Sequence, residues 1–386
     1  MSMKIAFECS PLVKQKTGVG WYCYNLLEQF LKFAEEEFVL FSFSLKLRKP
    51  DLPEGWLTRS MTRYRFYAPL PRLSVMFMSK FVGEKASRLL LPAADVAHFP
   101  NFTCFPIKGA KIVLTVHDLG FVHYPETIER RNLFLLRSLF KESLDIAAVV
   151  ITPSISTKKD LVSLFDYPQE KIVVVPLGVD HSIYRPMFNM CVLEAFKQRH
   201  SLGQYILFLG TLEPRKNPAG LLKAYVVLCK EMGLDCAPDL VFGGSKGWEN
   251  DSFNMLYSQL NEDIKKKIHF LGYLPKEELP LLYSGARAFI FTSLWEGFGL
   301  PPLEAMACGV PVVTSNVSSL PEVVENAALL VDPNSHEQIA EAIYKVLTDE
   351  DLASKLKYAG IKQAAKFTWK NTAQQTLEVY KNIAKG

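Results

Sequence analysis

Short apolar runs alternate with amphipathic stretches along nearly all of the 386 residues, and this alternation constrains the fold more than any other feature. A short run apolar on both faces suits a strand buried between layers. The amphipathic stretches suit the crossover helices that parallel neighbours require. The first half supplies candidate strands at residues 4–9, 39–43, 96–99, 111–116, 148–152 and 172–175, and the second at 205–210, 239–243, 268–272, 288–292 and 310–315. Each set is sufficient for an open sheet of its own. The expected fold class is α/β, with two Rossmann-like, doubly wound domains facing across a cleft. A turn-rich stretch from Pro176 to Pro186 marks the boundary, giving domains at residues 1–185 and 186–366, with 367–386 a terminal helix after a break near Phe367-Thr368-Trp369. Ligands of such sheets bind beyond the carboxyl ends of the strands.

Composition narrows the function classes. Apolar residues make up 49% and charged residues 22%, the profile of a soluble globular protein, and a net charge of +4 is too small over this length to favour nucleic acid. The seven cysteines are scattered and never at CxxC spacing, which favours free thiols in a reducing compartment over disulfides or a zinc site. The chain enters its first apolar run without a charged-then-apolar leader, and no apolar run approaches the roughly 20 residues of a membrane span. A cytoplasmic location is expected. Residues 45–92 interleave cations such as Arg63, Arg65, Arg72 and Lys80 with Trp56, Tyr64, Phe66 and Phe77. That mixture suits an anionic membrane surface, here the inner face, and equally a solvated face over ordinary core residues.

The most informative motif is Trp295-Glu-Gly-Phe-Gly-Leu-Pro-Pro-Leu-Glu-Ala305, which follows a strand and opens a short helix. Gly297 and Gly299 let backbone amides approach a ligand, and Pro301 and Pro302 suit a helix start whose free amides favour phosphate. Glu304, expected in the first helical turn, would face neutral hydroxyls such as those of a ribose, and Glu296 sugar hydroxyls. A helix-capping acid is the ordinary explanation for Glu304 taken alone. After the 205–210 strand comes Gly210-Thr-Leu-Glu-Pro-Arg-Lys-Asn217, whose Arg215 and Lys216 are suited to neutralise a diphosphate. Thr17-Gly-Val-Gly20 resembles a phosphate loop without its third glycine, and a tight turn explains it nearly as well. His117, in Val116-His-Asp118, stands at a strand end. His98 reads as a hydrogen-bonding core histidine. Asp349-Glu-Asp351 imitates a metal-binding acid pair, but opens a helix with Thr348 as its expected cap. No metal and no cofactor are expected.

On these motifs, together with Pro176-Leu-Gly-Val-Asp180 and Pro311-Val-Val-Thr-Ser315, the chain resembles glycosyltransferase family 4 nearly end to end. The resemblance implies a retaining, metal-independent enzyme of the type B fold that moves a hexose from a nucleotide-diphosphate sugar to an acceptor. It implies catalytic roles for His117, Glu296, Arg215 and Lys216. Donor contacts would come from Gly18, Gly20, Thr211, Arg215, Lys216, Tyr273, Leu274, Glu296, Gly297, Phe298, Gly299, Leu300 and Glu304, and the terminal helix would cross back to the first domain. Thr211 stands where many members carry arginine. The Leu212-Glu-Pro-Arg-Lys-Asn217 form is similar to a mannosyltransferase branch that uses GDP-mannose with glycan or lipid-linked acceptors in surface-polysaccharide biosynthesis, including lipopolysaccharide. Two other readings stand beside it: a nucleotide-sugar epimerase of the same fold, and a non-catalytic nucleotide-sugar-binding protein.

Overall fold

A computed structural model describes residues 2–13, 18–43, 50–54, 62–67, 93–187, 189–245 and 251–385, with backbone alone for 62–67. The expected membrane-facing stretch at 45–92 lies mostly outside the described residues, as does Thr17. The chain divides into two compact units. The first comprises Met1–Phe121, Ile128–Gly178 and Trp369–Gly386, and the second Val122–Thr127 and Val179–Thr368. The division therefore falls after Gly178, against an expected boundary after residue 185. Asp180 and His181 explain this, because they bond to Lys276 and to the Phe367 carbonyl of the second unit.

The first unit holds a parallel sheet in the order β3-β2-β1-β4-β5-β6-β7. Its strands are β1 (Lys4–Glu8), β2 (Glu37–Phe43), β3 (Thr62–Tyr67), β4 (Val96–Phe99), β5 (Lys111–Thr115), β6 (Val149–Thr152) and β7 (Ile172–Val174). All four residues of β4 are buried, as expected of a central strand covered on both faces. The edge strand β3 was not anticipated, because Thr62-Arg-Tyr-Arg-Phe-Tyr67 mixes cations and aromatics like a surface segment. The Gly18–Phe33 helix starts at Gly18, so both glycines of the expected phosphate loop lie in its first turn. Against this helix packs the terminal helix Trp369–Lys385, with Trp369 beside Tyr22, Tyr380 beside Phe30, and Thr372 Oγ1 donating to the Pro176 carbonyl at 2.8 Å. A tyrosine or tryptophan buried this way contributes about 1.5–3 kcal/mol.

The second unit repeats the plan with six parallel strands, ordered β10-β9-β8-β11-β12-β13. They are β8 (Tyr205–Leu209), β9 (Asp239–Gly243), β10 (Ile268–Gly272), β11 (Ala288–Phe291), β12 (Val312–Ser315) and β13 (Leu329–Val331). Only β13 escaped the sequence pattern, three residues being too few to display a period. Helices Pro218–Met232 and His336–Thr348 bury Leu221, Tyr225, Leu228, Ile339, Ile343 and Val346 in one core with Ile206, Leu240 and Ile290 of the sheet. Asp349, rather than Thr348, caps the Glu350–Ala364 helix by accepting from the Leu352 amide at 2.9 Å, while Thr348 bonds back to Tyr344 within the preceding helix. The acidic triplet is thus a helix start, as expected.

The carboxyl ends of β8, β9 and β10 are laced together by glycines. The Gly210 amide donates to the Gly243 carbonyl at 3.0 Å and the Gly244 amide to the Gly272 carbonyl at 2.7 Å. Gly244 has φ +115°, and a Cβ there would lie 2.2 Å from the Gly210 carbonyl oxygen. Only glycine fits. Gly244→Ala is expected to destabilise the protein by about 2–4 kcal/mol. A thermal melt unchanged from wild type would disprove the tight approach.

Candidate active site

Two loops at the carboxyl ends of the adjacent strands β8 and β11 build the charged centre of the second unit. After β8 the chain makes one 3-10 turn at Pro214–Lys216, then enters the next helix through Asn217, whose φ is +58°. Asn217 accepts from the Gly220 amide at 3.1 Å and donates to the Pro333 carbonyl at 2.7 Å, so the turn is fixed at its far end. The Leu294 amide donates to the Arg215 carbonyl at 2.8 Å, tying the second loop to the first.

The charged side chains meet across these loops. Lys216 Nζ donates to Glu296 Oε1 at 2.5 Å, and Arg215 Nη1 lies 3.4 Å from Glu296 Oε2. Arg215 also donates to the Trp295 carbonyl at 2.6 Å and to Glu213 Oε1 at 2.7 Å. Lys216 further sits 5.0 Å above the Phe291 ring. Burial works against a charged Glu296, but Lys216 and Arg215 outweigh it and hold its carboxyl below the ordinary carboxylate range. The sequence suits both cations to neutralising a diphosphate. In the structure both are engaged, two cations against Glu213 and Glu296.

The Gly297–Gly299 loop is clamped by residues that the motif analysis passed over. The Glu296 amide donates to Ser318 Oγ at 3.0 Å, and the fully buried Ser319 hydroxyl lies 2.9 Å from the Glu296 carbonyl and 2.8 Å from that of Phe298. The signal was present as Ser318-Ser319-Leu-Pro-Glu322, a helix start after β12. Gly299 has φ +115° and is the N-cap of the Leu300–Ala307 helix, so the cap residue brings no side chain to the helix start, and with prolines at 301 and 302 Leu300 carries the one N–H of the first three helical residues. That amide and the positive end of the dipole favour an anion.

Glu304 is the fifth residue of this helix, one turn further in than expected. Tyr283 donates to its Oε2 at 2.9 Å, and Tyr184 is a second phenolic partner. Burial pushes its carboxyl up to about 7, against the opposing pull of the two phenols and Lys276. Burial also raises both phenols, which therefore remain donors. Of the other expected donor contacts, Thr211 is exposed just after β8, and Tyr273 and Leu274 follow β10, exposed and buried respectively.

His117, Gly18 and Gly20 belong to the first unit. His117 Nε2 lies 2.8 Å from the Pro100 carbonyl, which can only accept, so Nε2 carries the proton. Burial lowers its pKa, so the ring is neutral and Nδ1 is an acceptor. Its ring meets Tyr22 edge-on at 4.9 Å. The Tyr22 hydroxyl lies 3.2 Å from Thr115 Oγ1, which is 2.7 Å from His98 Nε2, and His98 Nδ1 bonds to Tyr380. His98 is the core hydrogen-bonding histidine expected, with burial holding its pKa down to about 3.

Comparison with known proteins agrees with this architecture. The family model of group 1 glycosyl transferases matches residues 194–363, and that of Glycosyltransferase Family 4 matches residues 16–183. O-antigen chain mannosyltransferase B of Escherichia coli is 34% identical across 98% of this chain and the whole of that protein. The chain belongs to glycosyltransferase family 4. Among solved structures, this glycosyltransferase shares its fold with sucrose-phosphate synthase from Thermosynechococcus elongatus (TM-score 0.74, 21% identity, 99% of each chain). It also shares it with Anabaena HepE in complex with UDP-glucose (TM-score 0.72, 18% identity, 98% of this chain and 100% of that one). Both reproduce the type B fold.

The ion-pair cluster makes a separable prediction. Lys216→Ala leaves Glu296 buried without its nearest countercharge and should cost about 3–5 kcal/mol of stability. Adding Glu296→Ala should restore most of that loss. Additive losses in the double variant would show that the two side chains do not interact.

Proposed function

We propose that this glycosyltransferase moves mannose from GDP-mannose to a glycan or lipid-linked acceptor in surface-polysaccharide assembly, retaining the anomeric configuration and needing no metal. One observation carries the transfer chemistry: the Lys216–Glu296–Arg215 cluster, with Glu296 buried, and the glycine-capped helix start at Gly299 follow two neighbouring strands. The mannosyl assignment is supported by the full-length O-antigen relative.

In this reading the donor diphosphate rests on the amides of Phe298, Gly299 and Leu300. Arg215 and Lys216 neutralise the charge that grows on the departing nucleotide diphosphate, and preorganised donors of this kind are the largest usual source of rate enhancement. Glu296, kept ionised by those cations, accepts hydrogen bonds from sugar hydroxyls, with Gly297 leaving room beside it. Glu304 accepts from the ribose hydroxyls, Tyr273 and Leu274 meet the base, and Thr211 stands beside the phosphates. Gly18 and Gly20 allow close backbone approach, and the neutral Nδ1 of His117 accepts from a sugar hydroxyl. The glycosidic C–O bond to phosphate breaks to an oxocarbenium-like sugar. The acceptor hydroxyl attacks from the leaving-group face, and its proton passes to a phosphate oxygen.

A thermal-shift screen of GDP-, UDP-, ADP- and dTDP-sugars tests the donor, since a ligand bound at 100 times its Kd stabilises by about 2.7 kcal/mol. GDP-mannose should give the largest shift. Product analysis with acceptor present and absent tests the transfer: conversion of donor sugar without any acceptor would identify an epimerase, and binding without turnover a carrier. Turnover should persist in chelator. Glu304→Ala should abolish turnover with the fold retained.

The Glu304 carboxyl also sets a pH dependence. Its value is raised from 4.5 to about 7, so its contribution to stability is present below 4.5 and lost as pH rises through 7. A carboxylate that accepts ribose hydroxyls must shed that proton, so donor Kd should weaken about tenfold from pH 8 to pH 6. Calorimetry in buffers of different ionisation enthalpy should register the released proton. Glu304→Gln should flatten the profile, and a flat wild-type profile would contradict the assignment.

A further inference from the structure

Cations hold the Glu296 side chain, but the backbone that carries it is steadied in part by a segment distant in sequence. Val122–Thr127 packs with the second unit, although the chain on either side of it belongs to the first. Asp118 Oδ1 accepts from the Gly120 amide at 2.8 Å and so caps the Gly120–His123 turn that leads into this strap. Beyond it, the Thr127 amide and hydroxyl both donate to the Tyr124 carbonyl, at 3.0 and 2.7 Å, and close the Pro125–Thr127 turn. Folded turns on both sides fix the direction of His123 and Tyr124.

These two residues meet the loop after β11. The His123 ring stacks on the Trp295 indole, with centroids 3.8 Å apart and planes inclined by 29°, and the Tyr124 ring tilts against the same indole at 6.4 Å. The Tyr124 hydroxyl lies 3.5 Å from the Leu294 carbonyl. Trp295 is a junction of the charged cluster. Its carbonyl accepts from Arg215, the Leu294 amide before it donates to the Arg215 carbonyl, and Glu296 follows it in the chain. A tilt of the indole therefore carries Arg215 and Glu296 with it. Stacked rings resist such a tilt through their shape and their quadrupoles, a property that a phenyl ring shares with imidazole.

We propose that His123 is a positioning residue for glycosyl transfer: its stack on Trp295 sets the Trp295–Glu296 peptide, and with it the placement of Glu296 and Arg215 at the donor sugar. The inference rests on the proposed role of Glu296 as the acid that meets the sugar hydroxyls. His123 moves no proton in this role. Binding of the free nucleotide draws mainly on Lys216, Glu304 and the helix start at Gly299, so the effect of His123 falls on turnover.

Wild type, His123→Ala and His123→Phe test this together. With GDP-mannose, His123→Ala should lower kcat about ten- to a hundredfold, the scale of a small misplacement near the reacting centre. The Kd for GDP, measured by calorimetry, should stay within about twofold of wild type, the split expected when an interaction is made only in the transition state. His123→Phe keeps the stack and should return kcat to within about threefold of wild type. Hydrogen exchange gives a readout that needs no donor. The Leu294 and Glu296 amides, bonded to the Arg215 carbonyl and to Ser318 Oγ, should exchange about five- to tenfold faster in His123→Ala and at the wild-type rate in His123→Phe. Unchanged exchange in His123→Ala would overturn the positioning role whichever donor is used, whereas a wild type that binds nucleotide sugar without transfer would refute the transferase reading, so the two failures are told apart. Full kcat in His123→Ala would also overturn the proposal. So would GDP affinity falling in step with kcat, the mark of a collapsed site, or a His123→Phe variant as slow as His123→Ala, which would give the imidazole a chemical part.

Discussion

A buried carboxylate must find countercharge inside the protein or keep its proton. The second unit contains both outcomes eight residues apart. Glu296 lies against Lys216 and Arg215 and is held ionised, whereas Glu304, beside two phenols, has its carboxyl pushed up to about 7. Desolvation is the largest influence on each; only the identity of the neighbours differs. The rest of the site follows from that difference: one acid is a fixed negative charge, the other a group whose proton is exchangeable against a ligand.

The scaffold explains how such costly groups are tolerated. Lys216 and Glu296 come from loops after neighbouring strands, and those loops are joined by backbone bonds as well as by the ion pair. Ser318 and Ser319 satisfy the polar backbone of the glycine loop from a third strand end. Gly244 lets the β9 loop close against Gly210. The charged cluster is thus held on three sides by backbone geometry, which keeps the reorganisation needed on ligand binding small.

Much of the fold was legible because buried parallel strands write themselves as short apolar runs. Nine of the strands from Val96 onward and both N-terminal ones were visible in this way, apart from β13 with its three residues. The edge strand Thr62–Tyr67 was hidden because an edge need not be apolar on both faces. The site was legible wherever a residue type was unusual for its position, as with Arg215 and Lys216 before a helix. It was not legible where a common residue serves by location. Ser319, Gly244 and Tyr283 carry no signature until the topology brings β12, β9 and the Leu279–Ser284 helix beside the loops. Pairing was likewise unreadable: periodicity says that Lys216 and Glu296 stand at strand ends, not that the strands are neighbours.

The terminal helix has a temporal consequence. Trp369 and Tyr380 complete the core of the first unit, whose strands are otherwise finished by Val174. During synthesis the first unit therefore waits, with Tyr22 still without Trp369 and Phe30 without Tyr380, while Val179–Thr368 of the second unit is translated. The second unit consists of Val122–Thr127, made early, and Val179–Thr368, and needs nothing made later. On the ribosome the usual order of maturation is reversed, and the earliest-made half is the last to close.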